Sequence, residues 1–385
     1  MALISAAMMI RANEQGLRRC LNSINPICDE IVVVTTEDPD EQTKSILKEF
    51  NCTVFHSHWQ KDYSYHRNES FAYTKSEWVL RIDADEELIL NCSVKEFRRI
   101  LKEDVPNSVD CLRCTMHDMR GSQIVMEFPQ LHFFRNGTVY WKYRKHNHPV
   151  FQGRIMHLSS CSTRHYGYDI SPEYRKEKIE KGEELIRLTM EEYPDEYPGD
   201  YYLAQLYNDD NKKAEMYLRK YIKRHVGKVG FVSSSYVSLA VCLVKQKKRD
   251  EAWKILEEGL GIYPGDLDLN FTLCKLAVED NRYKTMVKSA EKYLQAWDRY
   301  KNNPVMHDRF YFCVSSAHVR FILHKLIISR FQEGISYTNN FFSFDDTDGQ
   351  NDKMLNDLTT LGIEWSFGNS YIDDTFTEKI LEGVN

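Results

Sequence analysis

No apolar run in this chain of 385 residues is long enough to cross a membrane, since a spanning helix needs roughly 18 or more apolar residues in a row. The opening "MALISAAMMI" is apolar, but no basic residue precedes its hydrophobic stretch, so it does not read as a signal peptide. It reads as a first buried strand. An excess of positive charge is also missing. Against 57 acidic residues stand 51 basic ones, a net charge of -6. That gives no basic footprint for a phosphate backbone and disfavours duplex nucleic acid as a partner. A disulfide framework is not called for either. The ten cysteines are scattered along a chain too long to need staples, so reduced thiols in a cytoplasmic protein are expected. Cys111 and Cys114 form "CLRC" near His117, but no second pair follows to complete a zinc site. In a strand, positions three apart point to opposite faces, so core packing is the expected role.

What is present is alternation. "LISAAMMI", "DEIVVVTT", "CTVFHS" and "EWVLRID" read as strands. Between them "NEQGLRRCLNSI", "DEQTKSILKEF" and "YHRNESFAYTKS" read as helices, the first with Leu17, Cys20, Leu21 and Ile24 at helical spacing. Strand–helix alternation means a parallel sheet covered on both faces, with ligands beyond the carboxyl ends of the strands. From 91 to 165, "VDCLRCTMHDM" and "QIVMEFPQLHFFRNGTVYWKY" read as strands of an antiparallel extension, with Asn136-Gly137 as a hairpin turn. Trp59, Trp78 and Trp141 are read as core or pocket walls.

After residue 171 the texture is helical. Segments starting at Asp200, Ser235 and Asp268 repeat, and the small residues Ala204, Ala240 and Cys274 recur about 34–36 residues apart. That is the spacing of tetratricopeptide repeats, where a small residue sits between paired helices. "YPGD" occurs twice, at Tyr197–Asp200 and Tyr263–Asp266. The basic "KQKKRDEA" at 245–252 reads as a solvated turn between helices. The expected domains are an α/β unit over 1–170, a helical repeat unit over 171–335 and an acidic segment over 336–385.

The chemistry concentrates where the fourth strand runs into Asp83, Asp85, Glu86 and Glu87. Asp83 and Asp85 are two apart, so an extended chain puts both on one face. Asp-x-Asp at a strand end suits Mg²⁺ or Mn²⁺ bridging the protein to a diphosphate, because such cations take one or two carboxylates and fill their shell with phosphate oxygens and water. Glu86 and Glu87 are expected to begin a solvated turn or helix.

Residues 1–170 resemble a GT-A glycosyltransferase of family 2, of the subgroup with C-terminal tetratricopeptide repeats that includes glycocin peptide S-glycosyltransferases. The matching segments come in order: "MIRANEQGLRRCLNSI", "CDEIVVVTTEDPDEQT", "HWQKDYSYHRNESFAYTKSEWVLRIDADEEL", "FFRNGTVYWKYRKHNHPV" and "RHYGYDISPEYRKEKIEKGEELIRL". The resemblance implies a Rossmann-like nucleotide-sugar domain followed by helical repeats. It implies a nucleoside diphosphate sugar as donor, a UDP-sugar first, and Mn²⁺ or Mg²⁺ as cofactor. It implies inversion at the anomeric carbon and a peptide or protein acceptor held partly by the repeats. Self-association as a homodimer is a further expectation.

The resemblance also assigns roles. Asp85 is the main metal ligand, Asp83 faces the ribose and the metal shell, Ala84 lies between them at the donor, and His165 of "RHYGYD" is a metal-binding histidine. Arg67 and Asn68 face the nucleotide, and Arg11 and Glu14 line its pocket. Thr35 ends strand two, where many relatives carry an Asp that bonds uracil; Thr offers no carboxylate. An ungapped match puts Asn147 on the usual catalytic Glu. Asn is no base, so His146, His148 or Asp118 takes the proton, or the acceptor is acidic enough to need little help, as a thiol is. A catalytically impaired binding protein, and a transferase acting on a cell-surface polymer or a modified nucleobase, are the alternatives.

Overall fold

The structure is a computed structural model that describes residues 2–12, 14–167, 172–227, 231–302 and 316–332. It divides between Phe231 and Val232 into two compact units.

The first unit is built on an eight-stranded sheet. Its parallel part is β1 (Ile4–Ile10), β2 (Glu30–Thr35), β3 (Thr53–His56) and β4 (Trp78–Arg81). The extension is β5 (Glu86–Leu90), β6 (Val109–Arg120), β7 (Gln123–Arg135) and β10 (Arg154–His165), and the spatial order is β3-β2-β1-β4-β7-β6-β10-β5. β7 is antiparallel to both β4 and β6, as an antiparallel extension requires. A separate ribbon pairs β8 (Tyr140–Lys142) with β9 (His148–Val150). The helices of this part are α1 (Leu17–Ile24), α2 (Glu41–Glu49), α3 (Tyr63–Ala72) and α4 (Val94–Arg99).

The central strands are apolar without alternation because both faces are covered. Ile4, Met8, Trp78, Leu80, Leu112 and Cys114 face the larger core, which α1 fills with Leu17, Cys20, Leu21 and Ile24. Ala7, Val79 and Cys111 face a second cluster with Phe71, Phe134 and Trp141. Cys111 and Cys114 therefore do point to opposite faces. Each fully buried aliphatic or aromatic side chain here contributes roughly 1.5–3 kcal/mol. Trp78 and Trp141 are core, while Trp59 is exposed and stacks on His66 at 5.3 Å. Asp40 and Asp62 cap α2 and α3, accepting from Thr43 and from Ser64 and Tyr65.

Two expectations are corrected. Asn136-Gly137 is a turn, with Gly137 at φ 78, but not a hairpin, because β8 pairs with β9 and not with β7. The hairpin turn is Gly121-Ser122, between Arg120 and its partner Gln123, with Gly121 at φ 57. Glu86 does not start a solvated turn. It starts β5 and is 1% exposed.

The first unit continues through α5 (Pro172–Glu192), α6 (Gly199–Leu206) and α7 (Asn211–His225). The helices expected to open a separate domain at 171 thus group with the sheet. Arg144 pairs with Glu192, Lys61 with Glu184 and Lys142 with Glu196.

The second unit holds α8 (Val232–Lys245), α9 (Arg249–Ile262), α10 (Leu267–Glu279), α11 (Tyr283–Asn302) and α12 (Ser316–Gln332). Its helices pack as α8 on α9 and α10 on α11, with α12 against the latter pair. Ala240 and Cys274 are buried inside their pairs, as is Ala204 in α6 of the first unit. The turn from α8 to α9 and the turn from α10 to α11 close in the same way. Lys247 and Asn281 take positive φ (62° and 55°), and the next amide reaches back to the carbonyl of Leu243 or Ala277. This helix stop recurs at a 34-residue interval, so the repeat is present in backbone geometry as well as in sequence. The 336–385 segment lies outside the described residues. Among the described residues no helix is long and apolar enough to cross a membrane.

Candidate active site

The acidic run leaves the carboxyl end of β4, where the topology of a parallel sheet places ligands. Its first acid is neutralised internally. Asp83 accepts from Arg67 at 3.2 Å through Oδ1 and from Arg81 at 2.8 Å through Oδ2. Arg81 also donates to both oxygens of Glu86, at 2.9 and 3.1 Å. Glu86 in turn accepts the Asp83 amide at 3.0 Å and faces the buried His132 at 3.6 Å. Arg67, Asp83, Arg81, Glu86 and His132 thus alternate in sign. Burial alone would raise the Glu86 pKa, but Arg81 and His132 hold it well below the usual carboxylate range.

Asp85 is different. Its carboxylate is half-exposed, and Oδ2 lies 3.4 Å from Nε2 of His165. The other ring nitrogen of His165, Nδ1, bonds Oδ1 of Asp118 at 2.8 Å. Burial would lower the His165 pKa, but the two carboxylates reverse this and raise it to about 10. The end of β10 is fastened to the acidic turn on either side of this pair. The amide of Tyr166 donates to the carbonyl of Asp85 at 3.0 Å, and its hydroxyl donates to Glu87 at 2.8 Å. The Arg19 guanidinium lies over the Tyr166 ring at 3.6 Å.

Two glycines leave room. A Cβ on Gly167 would sit 2.6 Å from both Asp85 Oδ2 and His165 Nε2. A Cβ on Gly16, just before α1, would sit 2.6 Å from the carbonyl of Ala84. Ala84 itself is buried. The space that Gly167 leaves beside one carboxylate oxygen and one imidazole nitrogen fits a cation such as Mn²⁺ or Mg²⁺, with the remaining positions left to phosphate oxygens and water. Among the described residues no group of three His, Cys, Asp or Glu side chains forms a complete metal cage. The two side chains that border this space are Asp85 and His165.

The other candidates are placed as follows. Asn68 clamps the ribbon, donating to the carbonyl of Trp141 at 2.9 Å and accepting its amide at 2.7 Å. Arg67 lies 4.9 Å over the Trp141 ring. Both residues thus hold β8 and the acidic turn. Glu14 accepts the Arg11 amide at 3.2 Å, and burial raises its pKa. Arg11 reaches Glu37 at 3.4 Å on the surface. Thr35 is buried, with its hydroxyl 3.1 Å from His56, and lines a cavity of about 410 Å³ together with Lys44 and Lys48. His146, Asn147 and His148 lie where β8 turns into β9. The His146 ring stacks on Tyr202 at 4.0 Å. Both histidines are exposed; the desolvation their neighbours do impose lowers their pKa, with Lys145 adding to it at His146. Asp118 is 1% exposed and engaged by His165, so it is not open to an incoming acceptor. Arg81 and His132, and the buried role of Glu86, emerge only from the structure; their one signal in the sequence is an arginine two residues before an acidic run.

Residues 5–161 match the family model for Glycosyl transferase family 2. The match covers the sheet part of the chain, a Rossmann-like arrangement of parallel strands with an antiparallel extension, which a helical region follows. It is similar to a TPR repeat-containing protein of Synechococcus elongatus, at 27% identity over 244 residues, 58% of this chain and 57% of the relative. It is also similar to the SPbeta prophage-derived glycosyltransferase SunS of Bacillus subtilis, at 24% identity over 196 residues, 49% of this chain and 46% of the relative. The chain spans about half the length of these two relatives. The solved structure of S. aureus TarS 1–349 in complex with UDP-GlcNAc aligns at 14% identity with a TM-score of 0.36, covering 66% of this chain and 90% of that one. That likeness is too loose to bear on substrate or mechanism.

Proposed function

We propose that this chain transfers a sugar from a nucleoside diphosphate sugar, a UDP-sugar first, to an acceptor side chain on a peptide or protein, with inversion and with Mn²⁺ or Mg²⁺. The observation that carries this reading is the Asp85–His165 pair, open to solvent at the carboxyl end of β4 in a family 2 domain. When bound, the cation would offset charge on the departing diphosphate. The chain's own residues supply the rest. Asp85 and His165 would hold the cation. Arg67 and Arg81 fix Asp83 and keep the turn rigid, which preorganises the site. The acceptor atom bonds to the anomeric carbon as the carbon–oxygen bond to the diphosphate breaks, and the acceptor proton goes to neutral His146 or His148. Both rings are exposed where β8 turns into β9, so an incoming acceptor can reach them, and imidazole is the commonest general base near neutral pH. A thiol acceptor would need the least help. The second unit, read as tetratricopeptide-like, would contribute to acceptor binding. The lack of a basic excess accords with a non-nucleic-acid acceptor.

Purified protein with Mn²⁺ and a panel of nucleoside diphosphate sugars tests this. Release of free nucleoside diphosphate from one donor is expected, falling at least about 100-fold in Asp85→Ala. No release and no calorimetric binding of any donor, by folded protein, would sink the proposal. Binding without release would favour the impaired-enzyme alternative, which the carboxamide of Asn147 motivates.

A further inference from the structure

The metal reading uses one face of His165; the other face has a partner of its own. We propose that Asp118 is a positioning residue, which holds His165 with Nδ1 as the donor so that Nε2 presents its lone pair to a cation on Asp85. This rests on the cation site proposed above.

The three groups form a graded line. Asp118 has a side-chain exposure of 2%, His165 of 21% and Asp85 of 47%. The innermost member is fixed by the sheet and the outermost faces solvent. Asp118 and His165 are direct neighbours across the parallel pair β6 and β10, so the 2.8 Å bond runs between two paired strands inside the sheet and not along a loop. β6 is also modified at this point. Its register against β7 shifts between Asp118 and Met119, and both residues are buried although they are consecutive. A regular strand would send one of them outward. Asp118 keeps the buried alternation of Cys114 and Met116, which carries its carboxylate to the side of His165; the irregularity directly after it, of a kind common next to active sites, buries Met119 as well.

A buried carboxylate has little use for a site 1% open to water unless something compensates it. Here the compensation is the N–H of His165. Imidazole can offer one nitrogen to a metal only if the proton sits on the other, and a carboxylate on that other nitrogen fixes both tautomer and ring angle. With Asp118 on Nδ1, the nitrogen left for the cation is Nε2, the one directed at Asp85.

Mn²⁺ affinity of the full chain, measured calorimetrically without donor, tests the idea. Asp118→Asn should weaken binding about 10- to 100-fold. His165→Ala should weaken it as well, and adding Asp118→Asn to His165→Ala should cost nothing further, because the aspartate acts through the histidine. A folded Asp118→Asn protein with parental Mn²⁺ affinity would overturn the proposal, as would a loss that persists undiminished in the His165→Ala background. No Mn²⁺ binding by the parent chain would overturn the cation reading and this inference with it, whereas parental binding that ignores Asp118 overturns the inference alone. If Asp118→Asn does not fold, the parent chain answers by itself. With Mg²⁺ bound, nitrogen NMR should find the His165 proton on Nδ1; a proton on Nε2 would refute the assignment.

Discussion

Glu86 carries more of the acidic turn than its neighbours do. It is buried, it takes both donors of one Arg81 nitrogen and it accepts the Asp83 amide. Replacing one partner of a buried ion pair leaves the other charge uncompensated and typically costs about 3–5 kcal/mol. Glu86→Gln is therefore expected to lower unfolding stability by that amount in urea at pH 7, and a loss below about 1 kcal/mol would contradict the network. Asp29 works at the other end of the sheet. It accepts the amides of Leu3 and Ile4 at 2.7 and 3.0 Å and pairs with Arg98 at 2.9 Å. Burial raises its pKa, but the amides of Ile4 and Leu3 and the Arg98 guanidinium together outweigh it and lower it overall. A group depressed in the folded state stabilises fully above its unfolded pKa, near 3.9, and loses that contribution as pH falls through the folded value. The stability gap between the parent and Asp29→Asn should be about 1.5–3 kcal/mol at pH 7 and should close below pH of about 3.9. A gap unchanged at low pH would show that the carboxylate charge is not what matters.

At the scale of elements, the helix stops of the second unit offer a direct comparison. Lys247 and Asn281 occupy equivalent left-handed positions. Lys has a Cβ penalty there that Asn, with its local hydrogen bonding, largely escapes. Lys247→Gly should raise stability by about 1 kcal/mol and Asn281→Gly by clearly less, both read from thermal melts. Equal effects would argue against the shared geometry. The same scale shows what could be read from the sequence. Apolar strands such as Ile31–Val34 declare themselves, because burial on both faces demands continuous hydrophobicity. β10 does not, because "RIMHLSSCSTRH" packs few large apolar groups, and its place is set by pairing with β5 and β6. β5 was hidden by its own acids. Glu86 looks solvated until Arg81 is known to reach it, and that contact is set by the turn at 82–85. Asp85 and His165 were legible as a pair only through their neighbours in sequence, whereas the Asp118 contact depends on strand order.

At the scale of the whole molecule, the division near Phe231 separates the candidate site from α8–α12. Trp253 is 4% exposed in the second unit, with Arg282 stacked over its ring at 4.0 Å. Trp253→Ala should cost about 3–5 kcal/mol there. Protease resistance of the second unit should fall, while Mn²⁺-dependent donor hydrolysis stays within about twofold of the parent, since domains fold as units. Hydrolysis lost in step with protease resistance would mean that the two units unfold as one.

The chain of alternating charges that runs from Arg67 through Asp83, Arg81 and Glu86 to His132 has a consequence for inheritance. Loss of Arg81 alone leaves the buried Glu86 without its guanidinium, and loss of Asp83 alone leaves the buried Arg67 without the carboxylate it bonds. Drift at Arg81 and Glu86, or at Arg67 and Asp83, is then a matter of joint replacement, although each pair is split in the sequence. Asp85, half in water and outside that chain, is free to answer to chemistry alone.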